Sequence, residues 1–228
     1  MKKLSVIIPV FNEEKTIVQV IEQVLAQETG EWQKEIVVVD DGSTDSTGEK
    51  LKAFSGRIKV FRHGKNLGKG AALQTGFTAA TGEAVIIQDA DLEYDPADWP
   101  KMLEEFERDE KLVAVYGSRE LSPKRRGYFH YVLGVKFLSF LVNLLFGSHL
   151  TDVYTCYKLF RTDFLRSLKL ESNGFEIEAE ITCKTLRARG KIKEVPIGYF
   201  PRRFSQGKKI RVRDGLKGAF KIVKFRFR

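Results

Sequence analysis

The sequence predicts an α/β protein built on a mainly parallel, doubly wound sheet flanked by helices, and three observations predict it. Short apolar runs alternate with stretches of helical period through about Gly117, the pattern of strands joined by crossover helices. The runs at 4–10, 35–39 and 84–87 hold consecutive apolar residues, broken only by Ser5 and Glu35, rather than an alternation, as strands covered on both faces do. Each ends in acidic or turn-forming residues. Parallel strands bring their carboxyl ends to one edge, so these endings converge. A chain of 228 residues forms one sizeable core, and no linker, low-complexity tract or repeat divides it.

The elements follow in order. Residues 4–10 read as a strand halted by Pro9, residues 11–14 as a turn, and residues 15–27 as a helix. Residues 35–39 form a second strand that runs into Asp40-Asp41-Gly42-Ser43-Thr44-Asp45. Asn66-Leu67-Gly68-Lys69-Gly70 precedes a helix over 71–80. It lacks the residue order of a P-loop, so Gly70, Gly76 and the nearby alanines are expected to let the helix lie close on the sheet, with Lys69 left to meet a diphosphate. Residues 84–87 form a buried strand that stops at Gln88-Asp89-Ala90-Asp91, and residues 112–116 a strand followed closely by Arg119.

Two carboxylates one residue apart, Asp89 and Asp91, have no place in a strand core. At the carboxyl end of a strand, where ligands collect in open α/β sheets, they can hold a divalent cation that carries phosphate oxygens at roughly 2.1 Å. A turn or helix cap would explain one such pair. Three strands ending this way place Glu13, Asp40, Asp41, Asp89 and Asp91 along one crevice and point to a metal-bridged nucleotide site.

Charge is concentrated at one end. Residues 201–228 hold eleven Lys or Arg against one Asp, and the rest of the chain 28 against 29 acids. Leu216, Ala219, Phe220 and Val223 recur at helical spacing opposite Lys217, Lys221 and Lys224, the pattern of a cationic helix on an anionic bilayer. Nucleic acid is not the expected partner, because no stacking motif or binding module accompanies the charge. Residues 131–147 are apolar apart from Lys136, Ser139 and Asn143, fewer than the roughly 20 needed to span a bilayer. Such a helix lies in the membrane interface, or packs in the core with its polar stripe toward water. Cys156 and Cys183 suit a reduced compartment and ordinary burial. Met1-Lys2-Lys3 leads directly into a strand, so no secretory signal is expected. The expected location is cytoplasmic, peripheral on the cytoplasmic face of a membrane, with contact made directly or through an integral-membrane partner.

Taken in order, Pro9-Val10-Phe11-Asn12-Glu13, residues 38–45, residues 66–70, Gln88-Asp89-Ala90-Asp91-Leu92-Glu93, Gly117-Ser118-Arg119, Tyr199-Phe200-Pro201-Arg202 and Gly207-Lys208-Lys209-Ile210 resemble the inverting family-2 glycosyltransferases of GT-A fold, and within them the polyprenyl-phosphate sugar synthases. The resemblance implies a GT-A domain over 1–200 and a basic segment over 201–228 that supplies a site-closing loop and a membrane-surface helix. It implies a nucleoside-diphosphate-sugar donor held by Pro9, Glu13, Asp40, Asp41, Lys69, Asp89 and Asp91, and Mg²⁺ or Mn²⁺ held by Asp91 with Asp89 and Glu93. Glu93 stands where relatives often have glutamine. The acceptor it implies is a polyprenyl or dolichyl phosphate, met by Arg119, Arg202, Lys208 and Lys209; Asp89, Asp91, Arg119 and Arg202 form the catalytic set. Arg125 and Arg126 are secondary candidates. Relatives carry an acceptor-binding Arg and Ser where this chain has Tyr131 and Val135.

A lipid phosphate is already anionic and attacks without a strong base, so a single displacement with inversion is expected, moving mannose or glucose. Were the acceptor a sugar hydroxyl in a surface glycan, Asp152 or one of Glu176, Glu178 and Glu180 would be the base. A noncatalytic binding module is the third possibility. The histidines show no metal-ligand spacing, and Trp32 and Trp99 read as packing residues.

Overall fold

The computed structural model describes residues 1–123, 129–202, 209 and 212–227. Seven strands form one sheet in the order β3-β2-β1-β4-β6-β5-β7. They are β1 (Lys2–Val10), β2 (Trp32–Asp40), β3 (Lys59–Arg62), β4 (Ala84–Ile87), β5 (Leu112–Ser118), β6 (Lys158–Arg161) and β7 (Lys191–Pro196). All run parallel except β6, which lies antiparallel between β4 and β5. The helices are α1 (Ile17–Ala26), α2 (Thr47–Leu51), α3 (Lys69–Ala79), α4 (Trp99–Arg108), α5 (Phe129–Phe146), α6 (Thr162–Ser167), α7 (Ile177–Arg187) and α8 (Val212–Phe227). Leu4, Val6, Ile7, Ile8, Val37, Val38, Val39, Ala84 and Ile86 are all fully buried, so consecutive side chains on opposite faces are covered, as their apolar runs required.

The chain winds outward from β1 through β2 to β3, then crosses back to place β4 on the other side of β1. Strand order reverses at the β1/β4 junction, and a crevice opens there beyond the carboxyl ends. The ends of β1, β2, β4, β5 and β7 meet on that edge, joined by the start of antiparallel β6.

β1 ends at Val10, one residue past Pro9, where the sequence placed its end. The strand continues to Val10 in register with Asp40. Ile7 accepts from Gln88 N on the β4 side and Val10 from Asp41 N on the β2 side. Pro9 therefore turns its missing N–H toward β4, past the last β4 pairing at Ile7–Ile87, where no ladder bond is lost. Helix α3 starts two residues earlier than its apolar pattern suggested and packs on β1 and β2. A Cβ at Gly76 would lie 2.3 Å from Ile7 Cγ2, and one at Gly70 2.2 Å from the Ser172 carbonyl oxygen. The small residues set the closeness of α3 to the sheet and to the 172–174 loop.

Of the polar stripe of α5, Lys136 stays exposed, 3.4 Å from Glu120, while Ser139 and Asn143 turn away from water. Ser139 is buried and accepts from Val153 N at 3.2 Å. Asn143 accepts from Leu150 N at 2.9 Å and Ser148 Oγ at 2.6 Å, and donates to the Leu150 carbonyl at 2.9 Å. The turn after α5 has backbone groups that these two side chains satisfy, so Ser139 and Asn143 turn inward. Leu133, Phe137, Phe140 and Leu144 turn outward. Helix α8 packs against α5 and α7 through buried Ile222 and Phe225, and exposes Leu216, Phe220, Val223 and Phe227. Among the described residues no helix is long and apolar enough to cross a membrane. Both cysteines are free and buried.

Candidate active site

Two turns at the ends of β1 and β2 are laced together by the short polar residues of 43–47. Asn12 N donates to Ser43 Oγ, and Glu13 N to Thr47 Oγ1, each at 2.9 Å. Thr44 N donates to Asn12 Oδ1 at 2.8 Å. Asn12 adopts φ 49°, a backbone state that Asn tolerates better than most residues. The lacing fixes the carboxylate of Glu13, which is buried at the crevice.

The paired aspartates after β2 have different tasks. Asp41 accepts from Leu67 N at 2.9 Å and Gly68 N at 2.8 Å, and lies 2.7 Å from His63 Nδ1. It anchors the 64–68 loop against the sheet edge. Gly68 there has φ 106°, and a Cβ would meet the Asn173 carbonyl oxygen at 2.3 Å, so only glycine fits. Asp40 accepts from Ser43 N at 2.8 Å and approaches Arg62 at 3.4 Å. It is not among the residues lining the crevice.

Beyond β4, Asp91 Oδ1 accepts from Glu93 N at 3.0 Å and Leu92 takes φ 62°, a tight turn that brings Asp89 and Asp91 to the cavity wall. The Lys69 ammonium lies 2.8 Å from Asp89 and 3.1 Å from Glu178. Arg202 spreads its guanidinium over Glu13, at 2.8 and 3.1 Å, and Asp91, at 2.9 Å. Lys209 reaches Glu13 at 2.6 Å. Glu93 accepts from Tyr199 OH at 2.6 Å and Arg202 N at 2.9 Å. Both of its oxygens hold the segment after β7, and it lines the cavity together with Asp89 and Asp91, which have cationic partners.

The electrostatics separate these two acids. Burial pushes Asp89 up, but the Lys69 ammonium more than reverses this and holds it below the ordinary carboxylate range. Asp91 is pushed to about 7 by burial and by the charges of Asp89 and Glu93, against the pull of Arg202. The site carries an excess of negative charge that a divalent cation would relieve. Mg²⁺ and Mn²⁺ accept one or two carboxylates and complete their shells with phosphate oxygens and water, so two aspartates suffice. Among the described residues no cluster of three or more His, Cys, Asp or Glu forms a ready-made cage.

Arg119 leaves β5 and grips Asp152 through Nε at 2.6 Å and Nη2 at 2.7 Å, while its ring-stacked face lies 5.0 Å from the centre of Tyr199. Asp152 is fully buried beneath it and is thereby removed as a base. Of the three candidate glutamates, Glu176 just before α7 and Glu178 and Glu180 on it, Glu178 lines the cavity. Glu180 instead accepts from Glu171 N and Ser172 N, at 2.9 and 2.7 Å. Lys208, Arg125 and Arg126 lie outside the described residues. Trp99 is fully buried in the core, and Trp32 packs on Phe106.

The whole forms a cavity of about 680 Å³ in which Pro9, Glu13, Asp41, Lys69, Asp89 and Asp91 share a wall with Arg119, Arg202 and Lys209. Sequence patterns did not single out Tyr94, which stacks on Tyr157 and Tyr199 with ring centres 4.8 and 5.3 Å apart; a lone tyrosine in an acidic loop carries no periodic signal. Residues 5–169 match the model of glycosyl transferase family 2. The chain belongs to that family. It is 31% identical over 175 residues to the dodecaprenyl-phosphate galacturonate synthase of Rhizobium johnstonii, covering 74% of this chain and 50% of that protein. It is 33% identical over 207 residues to the low-salt glycan biosynthesis hexosyltransferase Agl6 of Haloferax volcanii, covering 87% and 48%. The chain thus spans about half the length of both curated relatives. Glucosyl-3-phosphoglycerate synthase from Mycobacterium tuberculosis, solved with Mn²⁺ and uridine diphosphate, superposes with a TM-score of 0.75 at 20% identity, over 98% of this chain and 78% of that one. The family-2 glycosyltransferase here has the GT-A fold.

Proposed function

We propose that this glycosyltransferase moves a hexose, mannose or glucose, from a nucleoside diphosphate sugar to the phosphate of a polyprenyl or dolichyl lipid, at the cytoplasmic face of a membrane. One observation carries this reading. Asp152, which the sequence offered as a base for a hydroxyl, is buried and clamped to Arg119, whereas an anionic acceptor needs a fixed cation and no base. The name of the Rhizobium relative, a dodecaprenyl-phosphate synthase, supports the same acceptor class. A sugar-hydroxyl acceptor has no comparable support, since Glu178 is itself tied to two lysines.

Asp89 and Asp91 would hold Mg²⁺ or Mn²⁺, which supplies Lewis-acid stabilisation of the charge on the departing diphosphate. Lys69 adds a fixed ammonium beside it. Pro9, Glu13, Asp40 and Asp41 shape the nucleoside end, Asp40 and Asp41 by holding the loops around it. Arg119, oriented by Asp152 and Tyr199, offers its remaining N–H groups to the acceptor phosphate in a planar arrangement that suits phosphate oxygens. Arg202, now on Glu13 and Asp91, and the neighbouring Lys209 and Lys208 would meet phosphate once substrate anions enter. Holding acceptor oxygen, anomeric carbon and leaving oxygen in line lowers the barrier without covalent catalysis, and the single displacement inverts the anomeric centre.

The outward apolar faces of the packed helices α5 and α8 support a bilayer as the working surface. Phe220 is 70% exposed, Leu216 70% and Leu144 67%, with Lys217, Lys221 and Lys224 on α8 to meet anionic headgroups. Incubation with Mn²⁺, polyprenyl phosphate and labelled UDP- and GDP-sugars should give lipid-linked sugar. Failure with every donor, with product appearing instead on a glycan hydroxyl, would overturn the acceptor assignment. Phe140→Asp together with Phe220→Asp should abolish co-sedimentation with anionic vesicles; unchanged sedimentation would remove the membrane surface.

A further inference from the structure

Behind the cavity wall lies a chain of alternating charge that family membership does not explain. Lys158, at the start of β6, is fully buried. Its ammonium bonds to Glu178 Oε2, donates to the Thr155 carbonyl at 2.6 Å and lies 5.2 Å from the centre of the Tyr116 ring. Glu178, on α7 and only 3% exposed, turns its other oxygen to Lys69 at 3.1 Å, and Lys69 reaches Asp89 at 2.8 Å. Four ionisable groups from β6, α7, α3 and the end of β4 thus run from the core to the cavity. Burying such pairs is costly, and apolar residues of similar volume often stabilise a fold as well or better. Their retention points to a task at the site.

Lys69 stands between two carboxylates, only one of which belongs to the proposed cation site. When Asp89 is committed to a cation, Lys69 loses much of that attraction. Glu178 keeps the ammonium at the wall, and Lys158 keeps Glu178 aimed. We infer that Glu178 and Lys158 are positioning residues that hold Lys69 against the donor diphosphate. Resting on the donor reading above, this makes the strength of diphosphate binding depend on a lysine that no substrate touches.

The experiment is calorimetric titration of the full chain with UDP, GDP, UMP and GMP in Mn²⁺. With the diphosphate that binds the unaltered chain, Lys69→Met and Glu178→Gln should each weaken binding about tenfold, a change of about 1.4 kcal/mol, and the double variant no further, because both remove one interaction. The matching monophosphate should lose less than about threefold. Glu178→Met with Lys158→Met replaces the buried pair by apolar side chains and should fold yet show the same diphosphate-selective loss. Additive effects of Lys69 and Glu178, equal losses for mono- and diphosphate, or full affinity in the Glu178→Met, Lys158→Met variant would overturn the inference. Absence of any nucleotide binding by the unaltered chain would instead overturn the donor reading, and this inference with it.

Discussion

Replacing Asp91 by Asn should stabilise the metal-free protein at pH 8 while destroying its function. The carboxyl of Asp91 is raised from 3.8 to about 7 by burial and by Asp89 and Glu93. An acid whose folded pKa exceeds its unfolded one opposes folding. The cost is absent well below pH 3.8, grows as pH rises toward 7, and is full above it. At about 1.36 kcal/mol per pH unit the ceiling is about 4 kcal/mol. The side chain keeps 19% of its surface in water, and solvent screening reduces this to about 2 kcal/mol. Asparagine keeps the acceptor for Glu93 N and removes the charge, while Arg202 retains Glu13. Thermal melting in excess chelator at pH 8 should therefore show Asp91→Asn about 4–8 °C above the unaltered chain, with most of the gap gone by pH 4. Adding Mn²⁺ and the bound nucleoside diphosphate should reverse the order, since ligand stabilises only the form that binds it. A variant that melts at or below the unaltered chain at pH 8, or a gap that persists at pH 4, would refute the charge excess on which the cation site rests.

Other outcomes follow from the same geometry. Burial pushes Glu35 up, but Lys59, Ser5 and Thr81 outweigh it and hold the carboxyl at about 2, so its contribution is present above pH 4.5 and lost as pH falls toward 2. Glu35→Gln should cost about 1–2 kcal/mol in urea denaturation at pH 7 once solvent screening is allowed for, a gap that closes in acid. Arg119→Lys keeps the charge but loses the two-point grip on Asp152, and should lower kcat/KM for lipid phosphate by about tenfold or more with nucleotide affinity unchanged; Asp152→Asn should do the same in steady-state assays. Gly70→Ala drives a methyl to 2.2 Å from a backbone oxygen and should lower stability by about 1–3 kcal/mol, measured by chemical denaturation.

Local pattern reached far into this protein. Apolar runs, period-3.6 stretches and acidic strand endings depend on neighbours in sequence, and they determined the strands β1, β2, β4 and β5, the helices α1 and α3, and the edge where Glu13, Asp41, Asp89 and Asp91 meet; α2 and α4 carried no such signal. What only the tertiary structure decided were matters of direction and partner. Pro9 stays within β1 because β4 is short. Ser139 and Asn143 on α5 turn inward because the turn that follows the helix needs their hydrogen bonds, which a helical period cannot reveal. Asp152 ceased to be a base, and Lys158 and Glu178 joined Lys69, through pairings between elements tens of residues apart. Composition records that a residue can carry charge, but a buried charge persists only beside its partner, and partners are chosen by packing in space.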